Sequence, residues 1–243
     1  MKAVFFDAGG TLVHIDYPRV AHLIRETLGR DVPVDGWIAA EYAGRAAVEA
    51  GMVNGDLPTD TSRWSVHFEA MLGALGITAD EFTRVGPAVM AAHKEKHLWS
   101  GVFSGTADAL ASLKPAGYMV GLISNADGAV DRLLRSVGLA EYMSFMVDSG
   151  KVGVEKPDRR IFDIAMEEAA RVLRRRQAVD SQLTAADCYY VGDIYSIDVV
   201  GSRAAGMVPV LLDPLGRYGD RDCKTIRDVP TFARELVSAR RAA

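Results

Sequence analysis

Cysteine is scarce in this 243-residue chain: only Cys188 and Cys223 are present. Two thiols are too few for a disulfide framework and lack metal-ligand spacing, so a reducing, cytoplasmic setting is the simpler expectation. Long apolar runs are also missing. No segment reaches transmembrane length and no apolar signal region follows Met1, so a soluble protein that does not engage membranes is expected. There is no excess of positive charge either. Lys and Arg number 28 against 32 Asp and Glu, and the net charge of −4 offers no broad attraction to nucleic acid. Any anionic ligand must then be held by local cations. Low-complexity stretches and internal repeats are absent as well, and 49% hydrophobic with 25% charged residues is an ordinary globular balance. The length exceeds the modal domain, which points to one large domain or a core with an insertion.

Against these absences stands one strand-like run, Ala3-Val4-Phe5-Phe6, that delivers Asp7 into the turn Ala8-Gly9-Gly10-Thr11-Leu12. The paired glycines permit dihedrals that aim backbone groups at a ligand. A second apolar run, Tyr189-Tyr190-Val191, ends in Gly192-Asp193, with Asp198 following. Parallel strands in an α/β sheet gather their carboxyl ends on one edge, so Asp7 and Asp193 are expected to meet there. Facing carboxylates imply a hard cation.

Residues 1–14 read as a first strand and its turn. Helical spacing then takes over in four segments, 18–28, 35–50, 62–75 and 80–98, with no strand among them. From 105 onward strands and helices alternate: helix 105–115, strand 118–123, helix 128–137, strand 144–148, helix 159–175, strand 188–191, helix 196–205 and strand 208–212. This rhythm predicts an α/β fold, a doubly wound parallel-sheet (Rossmann-like) core formed by 1–14 and 100–243, with 15–99 as an all-helical insertion. The stretch 213–223 reads as a loop before a final helix near 230–240. The Arg174-Arg175-Arg176 run reads as a solvated helix end, where cations suit the macrodipole.

Four segments in this order resemble the motifs of the haloacid dehalogenase-like (HAD) hydrolase superfamily. They are Asp7 to Thr11, Ser124 after Tyr118 to Ile123, Lys156-Pro157, and Gly192-Asp193 through Asp198. The resemblance implies a helical cap of the first cap class at 15–99 and a magnesium-dependent hydrolase, most simply a phosphatase of a small phosphorylated metabolite. Asp7 is then the nucleophile that forms an aspartyl-phosphate. Lys156 and Ser124 complete the catalytic set, and Ser124, Asn125 and Lys156 hold phosphate, with Lys151 as the alternative cation. Asp7, the Gly9 backbone carbonyl, Asp193 and Asp198 make up the metal site, Asp198 in particular orienting a bound water or Lys156. Ser124 also suits a helix N-cap.

One position departs from the pattern. The family's phosphatases carry a second Asp two residues after the nucleophile, the acid that protonates the leaving group; here that residue is Gly9. His14, which titrates near neutral pH, is the candidate substitute acid, with Asp16 competing. The gap keeps other readings open. A 2-haloacid dehalogenase needs no such acid but would replace Asp193. A phosphonoacetaldehyde hydrolase would use a cap lysine, for which Lys94 and Lys96 are placed poorly. A catalytically weak phosphate-binding or regulatory protein is the reading from another class. The oligomeric state is open.

Overall fold

The computed structural model describes residues 2–33, 35–54, 60–175 and 183–242, with backbone alone at 60–62. The described residues form two compact units. One comprises Met1–Val13 and Val102–Ala243, the other His14–Gly101.

The first unit begins with β1 (Ala3–Phe6), whose four residues are all buried, as expected for a strand covered on both faces. After the turn, β2 (Val13–His14) leads into the helical unit, which consists of α1 (Tyr17–Leu28), α2 (Trp37–Asn54), α3 (Asp60–Ala74) and α4 (Ala79–Glu95). Asp16 caps α1 by accepting from Arg19 N, and Thr78 with Glu81 forms a capping box on α4. Ile15, Val20, Trp37, Phe68, Met71, Val85 and Val89 are buried in this unit's own core. Then β3 (Gly101–Val102) pairs with β2 as the chain returns.

The remaining elements are α5 (Thr106–Leu113), β4 (Met119–Ser124), α6 (Val130–Ser136), β5 (Phe145–Asp148), α7 (Ser149–Val152), α8 (Arg159–Arg175), β6 (Cys188–Gly192), α9 (Val200–Ala204), β7 (Val208–Leu212), β8 (Lys224–Ile226) and α10 (Val229–Arg241). The sheet runs β5-β4-β1-β6-β7-β8, with every pairing parallel. β1 is central: Phe6 lies opposite Leu122 of β4 on one side and Val191 of β6 on the other. The order reverses at β1, which makes the carboxyl ends of β1, β4 and β6 the natural binding edge. One face of the sheet packs Phe5, Ile123, Phe145, Phe162 and Tyr190. Gly121 is required in β4 because a Cβ there would lie 2.4 Å from the Phe145 ring. That ring in turn meets Phe5 edge-on, with centroids 5.1 Å apart.

Some local expectations change. The segment expected as helix 196–205 opens as a single π turn, Tyr195–Val199, before α9. Two short elements appear where the sequence reading assigned none, the helix Ser149–Val152 and the strand β8 after the 213–223 loop. Arg174 and Arg175 are exposed at the end of α8, while Arg176 lies outside the described residues. No helix among the described residues is long and apolar enough to cross a membrane.

Candidate active site

Asp7 leaves β1 still paired, its N–H donating to Val191 O at 2.8 Å. The next residues fold back on themselves: Leu12 N and Val13 N both donate to Ala8 O, at 2.9 and 3.0 Å, and Gly10 N donates to Val13 O at 2.7 Å. The left-handed residue of this turn is Gly10, with φ of 78°, and a side chain there would strain the backbone. The turn therefore fixes the Asp7 carboxylate at the sheet edge, almost wholly buried.

Lys156 reaches the same point from the loop before α8. Its ammonium, also buried, donates to Asp7 Oδ1 at 2.6 Å, Asp198 Oδ1 at 2.8 Å and the Tyr190 hydroxyl at 2.9 Å. Lys151 is exposed, so Lys156 is the cation that geometry selects. Burial by itself would lower the Lys156 pKa, but Asp198 and Asp7 outweigh it and hold it above the ordinary lysine value. Burial pushes Asp7 the other way, up to about 6, against the pull of Lys156 and with a further push from Asp198. At neutral pH the proton stays on Lys156, and Asp7 carries a charge that its surroundings only partly compensate.

Asn125 turns out to shape this loop. Its amide accepts from Lys156 N at 2.7 Å and donates to Lys156 O at 3.0 Å, pairing both backbone groups of one residue. Asn125, expected as a phosphate ligand, also places Lys156 through its amide. Ser124, buried at the end of β4, makes among the described residues a long 3.5 Å contact with Asn125 O. It does not cap α6. That helix starts at Val130, whose N–H donates to Asp148 Oδ2 at 3.0 Å, while Asp148 Oδ1 receives Gly128 N and Gly150 N, both at 3.0 Å. The Ser124 hydroxyl is consequently not committed to a helix end.

Asp193 and Asp198 divide their tasks. Asp198 Oδ2 accepts from Asp193 N and Ile194 N, each at 3.0 Å, while its Oδ1 takes Lys156. With both oxygens engaged, Asp198 orients the Asp193 loop and the lysine; this geometry favours its orienting role over direct ligation. Asp193 receives a 3.5 Å contact from Thr11 Oγ1. Ligand oxygens of Asp7, Asp193 and Asp198 lie within 4.8 Å of one another, and all three residues are buried. The donor set fits a hard divalent cation: it consists of oxygens only, and its negative charge exceeds what Lys156 contributes.

His14, on the helical side of the boundary, has Nδ1 at 2.8 Å from Ile15 O and stacks on Tyr17 with ring centroids 4.8 Å apart. Lys94 and Lys96 are exposed, as a solvated role requires. Sequence reasoning missed three contributors. Tyr190 sits inside an apolar strand and reads as core, Asp148 reads as a strand end, and Tyr218 lies in the polar 213–223 loop. The Tyr218 hydroxyl donates to Asp193 O at 2.7 Å, and its loop is pinned by Asp213, which accepts from Arg217 N and Tyr218 N at 3.0 and 2.9 Å. The one available signal was the polar end of each tyrosine, since a buried hydroxyl needs a partner.

A doubly wound sheet whose switch point gathers two strand-end aspartates, a buried lysine and a strand-end serine defines a class of α/β hydrolases. The chain belongs to the haloacid dehalogenase-like hydrolases, whose family model matches residues 1–206. It is 29% identical over 212 residues to a glyceraldehyde 3-phosphate phosphatase of Methanopyrus kandleri, covering 79% of this chain and 84% of that protein. It is 34% identical over 122 residues to the human haloacid dehalogenase-like hydrolase domain-containing protein 3, covering 48% of this chain and 44% of the other. Among solved structures it resembles the putative HAD-hydrolase YfnB from Bacillus subtilis bound to magnesium. That match has a TM-score of 0.66 at 18% identity and covers 97% and 98% of the two chains. A 2-haloacid dehalogenase from Pseudomonas syringae shares the fold with a TM-score of 0.55 at 24% identity, over the full length of both chains. The protein is therefore a hydrolase of this family.

Proposed function

We propose that the chain is a magnesium-dependent phosphatase of a small phosphorylated metabolite, working through an aspartyl-phosphate on Asp7. The observation that carries this reading is the Lys156 ammonium bonded to both Asp7 and Asp198 with Asp193 beside them, a site that brings positive charge to a buried nucleophile. The phosphatase from Methanopyrus kandleri supports the substrate class, and the magnesium named for the Bacillus subtilis structure is consistent with the donor set.

In this reading Lys156 holds Oδ1 of Asp7, and the other carboxylate oxygen attacks phosphorus while the bond to the ester oxygen breaks. Ser124 and Lys156 hold the phosphoryl oxygens through the transfer. Water then attacks phosphorus, the bond to the Asp7 oxygen breaks, and phosphate leaves. Asp7 and Asp193, with the Gly9 carbonyl, would hold a magnesium ion, which supplies charge neutralisation for the meeting of two anions. Asp198 keeps Asp193 and Lys156 in place. The helical unit serves as a cap over the reaction, and the enzyme works in the cytoplasm. No carboxylic acid stands at Gly9, so proton delivery to the leaving group is weak unless His14 or Asp16 provides it.

Gly9 also favours a second reading, a 2-haloacid dehalogenase, which would not need Asp193. Phosphate release from p-nitrophenyl phosphate and acetyl phosphate, with magnesium or with chelator, run beside halide release from 2-chloropropionate, separates the two. Metal-dependent phosphate release supports the proposal. Halide release without metal refutes it, and binding of phosphate without turnover of any compound points to the weak binding protein.

A further inference from the structure

Tyr190 lies in the middle of β6, is 1% exposed, and packs its ring edge-on against Phe162 with centroids 5.1 Å apart. Everything about the ring says core. The hydroxyl does not fit that description, because it emerges among the polar groups of the site. It lies 2.9 Å from Lys156 Nζ, 3.0 Å from Ile123 O and 3.2 Å from Asp198 Oδ1. A phenol has one proton to give. Since Lys156 donates into the oxygen, that proton is best spent on the nearer acceptor, Ile123 O, at the end of β4 next to Ser124.

An ammonium has three protons, and here each has a separate receiver: Asp7 Oδ1, Asp198 Oδ1 and Tyr190. The two carboxylates alone would leave the nitrogen free to pivot about the line between them. The third contact removes that freedom. Asn125 fastens the backbone of Lys156 to the loop after β4, and Tyr190 fastens its side chain to the Ile123 carbonyl, one residue before β4 ends. We infer that Tyr190 is a positioning residue, whose hydroxyl locks the Lys156 ammonium onto the nucleophile Asp7 and in register with Ser124. The activity arm of its test rests on the phosphatase reading; the spectroscopic arm does not.

Tyr190→Phe keeps the ring and its packing and deletes only the tether. In protein labelled with ¹⁵N-lysine, the buried, triply bonded Lys156 ammonium should exchange slowly with water and give a sharp ¹H–¹⁵N cross-peak. Loss of that peak in Lys156→Met, or its loss in Lys156→Arg should the methionine variant not fold, assigns it. In Tyr190→Phe the cross-peak should shift and broaden while the circular dichroism stays that of the parent. With p-nitrophenyl phosphate as substrate, kcat should fall about tenfold with KM changed by less than about twofold, the loss expected for one hydrogen bond to a charged group. A cross-peak left unmoved overturns the inference, whether or not kcat falls. A cross-peak that moves while kcat stays within about twofold of a working parent overturns it too, because the tether would then not matter to turnover. If the parent releases no phosphate from any probe but the cross-peak still moves, the phosphatase reading fails and the tether stands.

Discussion

Replacing Asp7 with asparagine should make the metal-free protein more stable at neutral pH, although it removes the proposed nucleophile. Asp7 is buried, and its carboxyl is pushed from 3.8 up to about 6, first by burial and then by Asp198, despite the opposing pull of Lys156. A folded-state pKa above the unfolded one means the native protein holds this proton more tightly than the unfolded chain. Below about pH 4 the group costs nothing. As pH rises from 4 to 6 the unfolded chain ionises first and stability falls; above 6 both states are ionised and the full cost remains. At about 1.36 kcal/mol per pKa unit, that cost amounts to roughly 3 kcal/mol. Asparagine has nearly the same shape without the charge, and its amide oxygen can still accept from Lys156, which keeps Asp198 and Tyr190. At a few degrees per kcal/mol for a chain of this size, Tm should rise by about 6–12 °C at pH 8. Thermal unfolding in chelator between pH 4 and 8 provides the measurement, with the gap between variant and parent closing toward pH 4. A variant equal to or less stable than its parent at pH 8 would refute the electrostatic reasoning, because the Asp7 charge would then be fully compensated by the lysine.

Magnesium at about a hundred times its Kd should stabilise the protein by roughly 2.7 kcal/mol, and Asp193→Asn should abolish that gain; a variant still stabilised by the metal would remove Asp193 from the site. Gly9→Asp should accelerate alkyl phosphates more than aryl or acyl phosphates, by up to about 10²–10⁴-fold, because only poor leaving groups need a proton in the transition state. Equal rates on both classes in the unmodified protein, with the alkyl activity lost in His14→Ala, would show another acid at work. Asn125→Ala should lower kcat by about tenfold, since both backbone groups of Lys156 lose their partner, while an unchanged kcat would assign Asn125 no such part. In the helical unit, His67 is half-buried and its pKa is pushed down to about 3 by desolvation and then by the charge of Arg45. The unfolded chain binds this proton first, so stability is lost as pH falls below about 6.5. His67→Gln should flatten the unfolding profile between pH 6.5 and 4, and an unaltered slope would contradict the assignment.

Much of the core was readable because its strands carry unbroken apolar runs, as in the fully buried Ala3–Phe6 and in Val208–Leu212, the latter matching its expected bounds residue for residue. Helix Arg159–Arg175 was equally plain, its apolar positions Ile161, Phe162, Ala165 and Ala169 recurring at helical spacing. The short elements hid for opposite reasons. β8 has three residues, two of them exposed, and no alternation to detect. α7 contains Gly150, which reads as a breaker, yet the glycine is demanded by packing, since a Cβ there would lie 2.6 Å from Gly128 N. In the site, carboxylates and the lysine announce themselves by residue type. Tyr190, Asp148 and the part played by Asn125 do not, because each acts on groups far away in sequence: 34 residues separate Tyr190 from Lys156 and 31 separate Asn125 from it.

The pairing of β2 with β3 has an evolutionary consequence. The helical unit leaves the sheet at Val13-His14 and returns at Gly101-Val102, and just inside it Asp16 N donates to Leu98 O at 2.7 Å. Its two ends are thus stapled side by side, and the sheet experiences the whole insertion as little more than a hairpin. Closing a longer loop across the same gap costs only slightly more, since that cost grows with the logarithm of length. Residues 14–101 form a cassette. They can lengthen or drift at little entropic cost, because the paired ends already hold the points where the chain leaves and rejoins the sheet.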